Sequence, residues 1–275
     1  AKAVDAAEDG ATIYVTSDLT MSECARYYGK HLTIIGQPGE NDADGVITVT
    51  RGDKSDTLED TNRSWYNPAM IEVGGKTDEN DELVEQSASL RLENIVLDDG
   101  GKKMGEKFLQ AGKGTGDNTQ IVQDAIIATY NNTATITLGN GAVLKNFGGM
   151  SAVRIADGIL VMEKGSKIID DTVTNRTKTS GDFGAAGAIW MQGGEIDMQD
   201  GAVIENIVGR AVYADGGKAV INGTISGIVP DADMWQGGSG LAIHARGGAS
   251  AVIGETGAIT GITNSAKSVN ADDAK

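Results

Sequence analysis

The sequence is poor in the residues on which disulfide-bonded, metal-binding and aromatic-cored proteins depend. Among 275 residues there are one cysteine (Cys24), two histidines (His31 and His244) and three prolines, and aromatic residues make up 4%. One cysteine excludes an internal disulfide, and we expect Cys24 to be a small buried residue or a bystander rather than a nucleophile. The residues also assemble no convincing Cys/His metal cluster or Ser-His-Asp triad. A core must therefore consist of Ala, Val, Ile, Leu and Met.

Positive charge and long apolar runs are scarce as well. The chain has 23 Lys and Arg against 39 Asp and Glu, a net charge of −16. This charge opposes binding to nucleic acid phosphates or to anionic lipid. No apolar run approaches the ~20 residues of a membrane helix, so no membrane insertion is expected. The sequence opens at Ala1 without a signal peptide, and we expect a processed or excised soluble piece of a larger protein.

Glycine is abundant, at 39 of 275 residues, and it punctuates an internal repeat. Residues 152–168 align with residues 188–204 without a gap, at an offset of 36, and their apolar positions coincide. Further copies open at Ala211 and Ala242, at offsets of 23 and 31, and an earlier copy spans residues 136–144. Within each copy the apolar residues alternate with period 2, which is typical of short strands with one buried face.

A repeat of this length cannot bury its own apolar face. Each copy supplies about three short strands in ~22–24 residues, so the copies must stack on one another. Parallel strands that stack in this way form a β-helix. A leucine-rich repeat has a similar period, but its Leu-x-x-Leu-x-Leu-x-x-Asn framework and its helices are missing. The glycine pairs that recur once per copy are interpreted as corner turns: residues 193–194, 216–217 and 247–248.

One domain is predicted to span residues 1–275, and its parts differ in regularity. Residues 1–10, Ala-rich and closed by Gly10, are expected to form a helix that caps the open edge of the first coil. The remaining parts are irregular coils with long loops (11–120), regular coils (121–267) and a polar tail (268–275). The strands expected in the irregular part are residues 12–15, 32–36, 46–49, 69–73 and 90–97. The loops expected there are residues 37–45, 51–68, 74–88 and 100–120.

Two parts of the sequence resemble known β-helix proteins. The segment from Ala3 to Val15, followed by Leu32-Thr33-Ile34-Ile35-Gly36, resembles the start of right-handed parallel β-helices of the pectate-lyase-like superfamily. The segments Gly223 to Ile228 and Gly257 to Ile262 are similar to coils of adhesin-like bacterial surface proteins. The resemblance implies an all-β, single-stranded right-handed parallel β-helix at an extracellular or cell-surface location. It implies no single function, because the superfamily includes lyases, hydrolases, tailspikes and non-catalytic adhesins.

Two acidic pairs, Asp98-Asp99 and Asp170-Asp171, are candidates for acid–base catalysis or for calcium binding. Asp170 aligns with Asn146 and Asn206 directly after a strand, where Asn and Asp tolerate left-handed turns. We therefore interpret it as a turn residue, and Asp98-Asp99 as a solvated turn. A calcium site like that of the resembled family needs three or more carboxylates beside an Arg. No such set is recognisable, so no cofactor is predicted.

One aligned strand places large side chains in a row. In Val153-Arg154-Ile155 and its counterparts the flanking residues are apolar and should point inward, so the middle residue should face outward. That row consists of Arg154, Trp190, Tyr213 and His244. Coils stack at ~4.8 Å, so exposed rings at this pitch suit stacking on sugars. The predicted ligand-binding residues are Arg154, Trp190, Gln192, Tyr213, Trp235, His244 and Arg246.

The outward-facing residues of the coils have two other interpretations. Stacked rings also stabilise neighbouring strands without any ligand. The insertions at residues 172–187 and 229–240, the second with Trp235, both enter before the ring strand and are expected to wall its face. A Thr-x-Thr ice-binding array fits only at residues 135–137, because the outward counterparts in the next coils are Val161 and Asp197.

Three functional classes remain after the sequence has been considered. The preferred one is a non-catalytic binding or stalk domain of a secreted or cell-surface bacterial protein, whose partner is a glycan or another host-surface ligand. The second is a polysaccharide lyase or glycoside hydrolase, with Asp197, Asp215, Arg154 and Arg246 as candidate catalytic residues. The third is a purely structural spacer. The sequence favours no particular oligomeric state.

Overall fold

A computed structural model of the chain describes residues 1–39, 45–52, 69–74, 87–100, 125–129, 133–147, 151–169, 187–230 and 240–263. The expected loops and the two insertions lie wholly or largely outside these ranges. Asp170-Asp171, Trp235 and the expected polar tail lie outside them as well.

The described residues form one short helix and 23 short strands. The helix is α1 (Lys2–Ala6). In chain order, the strands of the first four turns are β1 (Thr12–Val15), β2 (Leu19–Met21), β3 (Ala25–Tyr27), β4 (His31–Gly36), β5 (Ile47–Arg51), β6 (Ala69–Val73), β7 (Ala88–Glu93), β8 (Ile95–Asp98), β9 (Ala125–Thr129), β10 (Ala134–Leu138), β11 (Val143–Lys145) and β12 (Val153–Ile155). Those of the last four are β13 (Ile159–Met162), β14 (Lys167–Ile169), β15 (Ile189–Met191), β16 (Glu195–Met198), β17 (Val203–Glu205), β18 (Arg210–Ala214), β19 (Lys218–Ile221), β20 (Thr224–Ser226), β21 (Leu241–Ala245), β22 (Ser250–Ile253) and β23 (Ala258–Thr260).

Every third strand belongs to the same parallel sheet. In the described part of the chain, sheet A has the order β1-β4-β7-β10-β13-β16-β19-β22 and sheet B the order β2-β5-β8-β11-β14-β17-β20-β23. Sheet C has the order β3-β6-β9-β12-β15-β18-β21. The chain thus visits A, B and C in turn and starts again one strand further along. The prediction of an all-β fold with parallel strands is confirmed, and the arrangement is consistent with a parallel β-helix.

The register is the one that the sequence repeat predicts. Ile155 pairs with Met191 and Leu160 with Ile196, both at the offset of 36. Ile136 pairs with Leu160 at an offset of 24. The inward-facing apolar residues of one turn therefore pair with the inward-facing apolar residues of the next.

The core lies between the three sheets and is built from aliphatic columns. Ile189, Met191, Ile196, Met198 and Ile204 are fully buried, as expected from their inward register. Burying one such side chain contributes roughly 1.5–3 kcal/mol. Because identical positions recur in every turn, this contribution is repeated along the stack.

The corners depend on residues that accept a left-handed backbone. Asn146 and Asn206 have φ of 55° and 58°, which confirms the turn interpretation of this position. Residues 90–97 were expected to be one strand, but they form β7 and β8, because Asn94 (φ 49°) turns the chain between them. The glycine pairs lie at corners as expected. At Gly194, a Cβ atom would lie 2.0 Å from the carbonyl oxygen of Gly158, so only glycine fits.

The N-terminal helix is shorter than expected. It ends at Ala6, and Ala7 already has an extended backbone with ψ of 140°, so Gly10 is not the residue that ends it. Val4 is buried, and α1 lies against β3 at the first edge of sheet C. The Lys30 Nζ donates to the carbonyl oxygen of Asp5 at 3.0 Å, which ties the helix to the first turn.

The interpretation of Asp98-Asp99 as a solvated turn is wrong for Asp99. This residue continues the inward register of β8, and its side chain is 2% exposed. The Arg51 Nε lies 2.6 Å from Asp99 Oδ1, and Arg51 Nη2 donates to the carbonyl oxygen of Ala125. A pairing partner from a different turn explains the burial, since an isolated buried carboxylate is very unfavourable. Asp98 does form a turn contact, because its Oδ1 accepts from the Gly100 amide at 2.7 Å.

An ion bridge on the outer face of sheet A spans three turns. Arg91 donates through Nη1 and Nη2 to both carboxylate oxygens of Glu163, at 2.8 and 2.7 Å, and its Nε lies 2.6 Å from Glu93. Gly139 lies between them, where a Cβ atom would be 3.1 Å from Arg91 Nη2. The missing side chain thus leaves room for the guanidinium to reach across one turn. The Arg91 guanidinium lowers the pKa of Glu163 below its ordinary value.

Candidate functional site

The structure brings the predicted row of large side chains together on sheet C. Arg154 pairs with Trp190, Trp190 with Tyr213, and Tyr213 with His244, each on neighbouring parallel strands. The residues that flank them in β12, β15 and β18, such as Ile155, belong to the buried apolar core, whereas in β21 Ile243 is half-buried and Ala245 is exposed. Since side chains alternate along a strand, the row lies on the outer side of sheet C.

The expectation that this row is exposed to solvent is wrong for three of its four members. Arg154 is 7% exposed, Trp190 2% and Tyr213 4%, whereas His244 is half-buried. One reason is visible among the described residues. Arginine side chains from sheet C and from the residue that follows β21 lie over the rings, because a guanidinium is attracted to the face of an aromatic ring.

Arg154 and Trp190 contact each other directly. The guanidinium carbon of Arg154 lies 5.2 Å from the centroid of the Trp190 ring. Arg154 Nη2 also donates to Gln192 Oε1 at 2.7 Å, so this predicted binding residue is used to hold Arg154. The Trp190 Nε1 is buried without a hydrogen-bond partner. Trp190 therefore contributes to this face mainly through its apolar surface and through the cation–π contact.

Tyr213 is enclosed by two arginines and a histidine. Its ring centroid lies 5.0 Å from the guanidinium carbon of Arg210 and 5.2 Å from that of Arg246. The rings of Tyr213 and His244 meet edge to face at 5.1 Å and 71°. Burial raises the pKa of Tyr213 and lowers that of Arg210. The phenol is thus neutral at physiological pH and acts as a ring rather than as a charge.

Arg246 is held by an acidic partner. Its Nε and Nη2 donate to Oδ1 and Oδ2 of Asp215, each at 3.0 Å, a bidentate ion pair between the residues that directly follow β21 and β18. The side chains of Arg246 and Asp215 are 40% and 30% exposed. This pair is therefore the solvent-facing end of the predicted site, and Asp215 is engaged as a partner of Arg246.

The row continues further towards the N-terminus than the sequence predicted. In register with Arg154 lie Ala128, then Glu72, then Arg26. Arg26 Nε is 2.7 Å from Glu72 Oε2. We call the complete row the sheet C ladder: Arg26, Glu72, Ala128, Arg154, Trp190, Tyr213 and His244. Burial raises the pKa of Glu72, and the neighbouring guanidinium opposes that rise.

A sequence signal for this extension existed. Ile71-Glu72-Val73-Gly74-Gly75 is similar to Ile189-Trp190-Met191-Gln192-Gly193-Gly194, since both have an apolar pair around the outward residue and then a glycine pair, which comes one residue earlier in the first segment. The long segments between strands hid the match, because they broke the regular offset. β3 gave no comparable signal, since Ala25-Arg26-Tyr27 is too short and lacks the glycine pair.

Cys24 lies at the N-terminal end of the ladder. Burial raises the pKa of its thiol to about 12, with a further upward contribution from Glu72. A thiol with that pKa is protonated at neutral pH and is a poor nucleophile. This agrees with the expectation that Cys24 is a bystander.

The candidates for catalysis do not share one face. Asp197 lies on β16 of sheet A and accepts from Gln199 Nε2 at 3.1 Å, whereas Arg154 lies on sheet C. Among the described residues, no group of three or more His, Cys, Asp or Glu side chains is placed to hold a metal ion. In the same part of the chain, no helix has the length and apolar character needed to cross a membrane. Trp235 lies outside the described residues.

No protein-family model, curated protein or solved structure matches the chain. Its function is therefore inferred from the fold and from the contacts of the sheet C ladder.

Proposed function

We propose that the chain is a non-catalytic stalk module of a secreted or cell-surface protein, in which the sheet C ladder holds successive coils together. The observation that carries this proposal is that Arg154, Trp190 and Tyr213, in the middle of the ladder, are buried and contact neighbouring side chains. Arg154 contacts Trp190 and Gln192, and Tyr213 contacts His244. A face whose large side chains are already mutually packed suits a structural role better than ligand capture.

The proposal includes the finer architecture that the sequence suggested. The stalk is a single domain, a right-handed, single-stranded parallel β-helix with adhesin-like coils of the pectate-lyase-like type. Right-handedness is favoured because connections between parallel strands of one sheet are right-handed in about 98% of cases. The extracellular location is part of the proposal and rests on the similarity of the segments Gly223 to Ile228 and Gly257 to Ile262 to coils of adhesin-like bacterial surface proteins.

The ladder adds lateral contacts to a stack that backbone hydrogen bonds already join. Cross-strand side-chain pairs contribute roughly 0.2–1 kcal/mol each, and cation–π contacts contribute about 0.5–2 kcal/mol. The contact at Trp190 links β12 to β15, and the contact of Tyr213 with His244 links β18 to β21, whereas β15 and β18 are joined by their strand pairing. Eight strands of sheet A at ~4.8 Å spacing give a stack of about 34 Å, the length over which such a stalk would separate its two ends.

The test of the stalk role is mechanical. The chain is pulled between its termini by single-molecule force spectroscopy, and the wild type is compared with Trp190→Ala. A stalk stabilised by the ladder should lose unfolding force in the variant. The matched control is Ile159→Ala, at an outward and 37% exposed position on sheet A. Equal unfolding forces in all three proteins would contradict a load-carrying ladder.

Glycan binding is a second candidate, favoured by the partial exposure of Arg246 beside Tyr213 and His244. A cation and a ring edge at the solvent-facing end of the ladder would suit a hydroxyl-rich or anionic sugar. A glycan array, run with calcium and with chelator, tests this role with the wild type and Arg246→Ala. Saturable binding by the wild type that is lost in Arg246→Ala would favour glycan binding over the stalk role. Absence of binding in both proteins would favour the stalk role.

A further inference from the structure

Among the described residues, Arg210 is the one arginine whose side chain has neither a hydrogen-bond partner nor an ion-pair partner. The other described arginines each have a side-chain oxygen as a partner. These pairs are Arg26 with Glu72, Arg51 with Asp99, Arg91 with Glu163, Arg154 with Gln192, and Arg246 with Asp215. The chain has a net charge of −16, so a shortage of carboxylates does not explain the difference.

Arg210 lies inside the stack and not at one of its ends. It is the first residue of β18, and described strands pair with β18 on both sides. In the preceding turn, Gly187 packs so closely that a Cβ atom there would lie 3.1 Å from the Arg210 Cβ atom. In the following turn, the register partner of Arg210 is Leu241. Neither neighbouring position supplies a carboxylate.

Two guanidinium groups meet at the ring of Tyr213, and one carboxylate accompanies them. The guanidinium carbons of Arg210 and Arg246 lie 5.0 and 5.2 Å from the ring centroid. Both carboxylate oxygens of Asp215 accept from Arg246. Burial lowers the pKa of Arg210, and the like charge of Arg246 lowers it further, but a guanidinium stays charged at neutral pH. The described groups of this cluster therefore leave one positive charge without a counter-ion.

A half-buried charge is unfavourable when no group replaces the water that burial removes. The cation–π contact with Tyr213 compensates for part of this loss. A ring cannot accept hydrogen bonds from all the N–H donors of a guanidinium, whose planar fork matches two oxygens of a carboxylate, sulfate or phosphate group. An oxyanion from outside the chain has the charge and the acceptors that the described neighbours of Arg210 lack.

We propose that Arg210 binds an oxyanion, a carboxylate, sulfate or phosphate group, beside the Tyr213 ring on sheet C. The bound group accepts two hydrogen bonds from the guanidinium and neutralises the excess positive charge of the cluster. This binding goes beyond the stalk role and does not depend on it, because its test measures a guanidinium signal rather than mechanical strength. It also differs from the glycan candidate above, which rests on Arg246 and His244.

The experiment observes the guanidinium of the full chain directly by nuclear magnetic resonance. With isotope-labelled arginine, the Arg210 Nε–H signal is the one missing from the spectrum of Arg210→Gln. Sodium sulfate is added at constant ionic strength, with sodium chloride as the reference, and a saturable shift of this signal is expected with sulfate alone. In calorimetry, Arg210→Gln should bind sulfate more than about tenfold more weakly, because hydrogen bonds to a charged group are lost. Arg210→Lys keeps the charge without the fork and should fall between the two.

The matched control is Arg91→Gln, which changes the net charge equally but removes a guanidinium that already has Glu163 as its partner. It should bind sulfate like the wild type. Circular dichroism verifies that each variant is folded, and Arg210→Lys identifies the signal if Arg210→Gln is not. Glucose-6-sulfate separates the two sources of the oxyanion: tighter binding than free sulfate supports a group carried on a sugar, and equal binding supports a free ion. A wild-type signal that sulfate does not shift saturably, or equal weakening by Arg91→Gln, would overturn the proposal.

Discussion

Replacing Trp190 with alanine separates a packing role of the sheet C ladder from a ligand-binding role. Trp190 is 2% exposed, and its ring lies 5.2 Å from the Arg154 guanidinium. Removing a buried Trp side chain costs about 3–5 kcal/mol of unfolding free energy, and losing the cation–π contact adds to this cost. A ladder that packs coils together therefore predicts a loss of about 4 kcal/mol. An exposed ligand anchor would lose little stability.

The assay is urea denaturation followed by far-ultraviolet circular dichroism, so that the signal does not depend on the tryptophan. Trp190→Phe keeps a ring over Arg154 and removes an Nε1 that has no hydrogen-bond partner, so it should retain most of the stability. Ile159→Ala, at an outward position, should cost less than about 1.5 kcal/mol. The reasoning is refuted if Trp190→Ala is as stable as Ile159→Ala.

Three further predictions concern groups outside the ring contacts. Asp99→Ala leaves Arg51 buried without its carboxylate and should lower the unfolding free energy by about 3–5 kcal/mol. The double variant Arg51→Met with Asp99→Leu should recover most of this loss. Equal denaturation midpoints for the single and double variants would contradict a buried pair. Arg91 lowers the pKa of Glu163 in the folded state, so its stabilisation is complete above the ordinary value of 4.5 and is lost as the pH falls through the lower folded pKa. Glu163→Gln should therefore flatten the acid limb of the stability–pH curve by up to about 1 kcal/mol, and an unchanged limb counts against the bridge. With its pKa raised to about 12, Cys24 should react with iodoacetamide at pH 8 about a thousandfold more slowly in the folded than in the unfolded chain. Folded and unfolded rates within a factor of ten of each other would show an accessible thiolate.

The regular part of the fold could be predicted because each coil repeats the same constraints. The offset between residues 152–168 and 188–204 fixed the pairing of Leu160 with Ile196, and period-2 alternation fixed which side chains point inward. Asn146 and Asn206 were recognisable as corners because few residues accept a left-handed backbone. These features are local in sequence, or repeat at a nearly constant spacing.

Burial of the ladder could not be predicted in the same way. Alternation gives the side of the sheet on which Trp190 lies, but it does not tell whether other side chains cover that side. Arg210, which lies over Tyr213, stands where the next turn has Leu241, so no repeat indicates it. Asp99 was misinterpreted for a related reason, since its partner Arg51 lies in the preceding turn, at a distance of 48 residues along the chain.

The solvent accessibility of Trp190 tests the central claim most directly. In a chain with Trp65→Phe and Trp235→Phe, the remaining fluorescence comes from Trp190, and acrylamide quenching measures how well solvent reaches the ring. A packed ladder predicts blue-shifted emission and weak quenching, both unchanged by added glycans. Strong quenching of a red-shifted emission, or protection that appears only with a glycan, would contradict the stalk role and restore the ladder as a ligand-binding face.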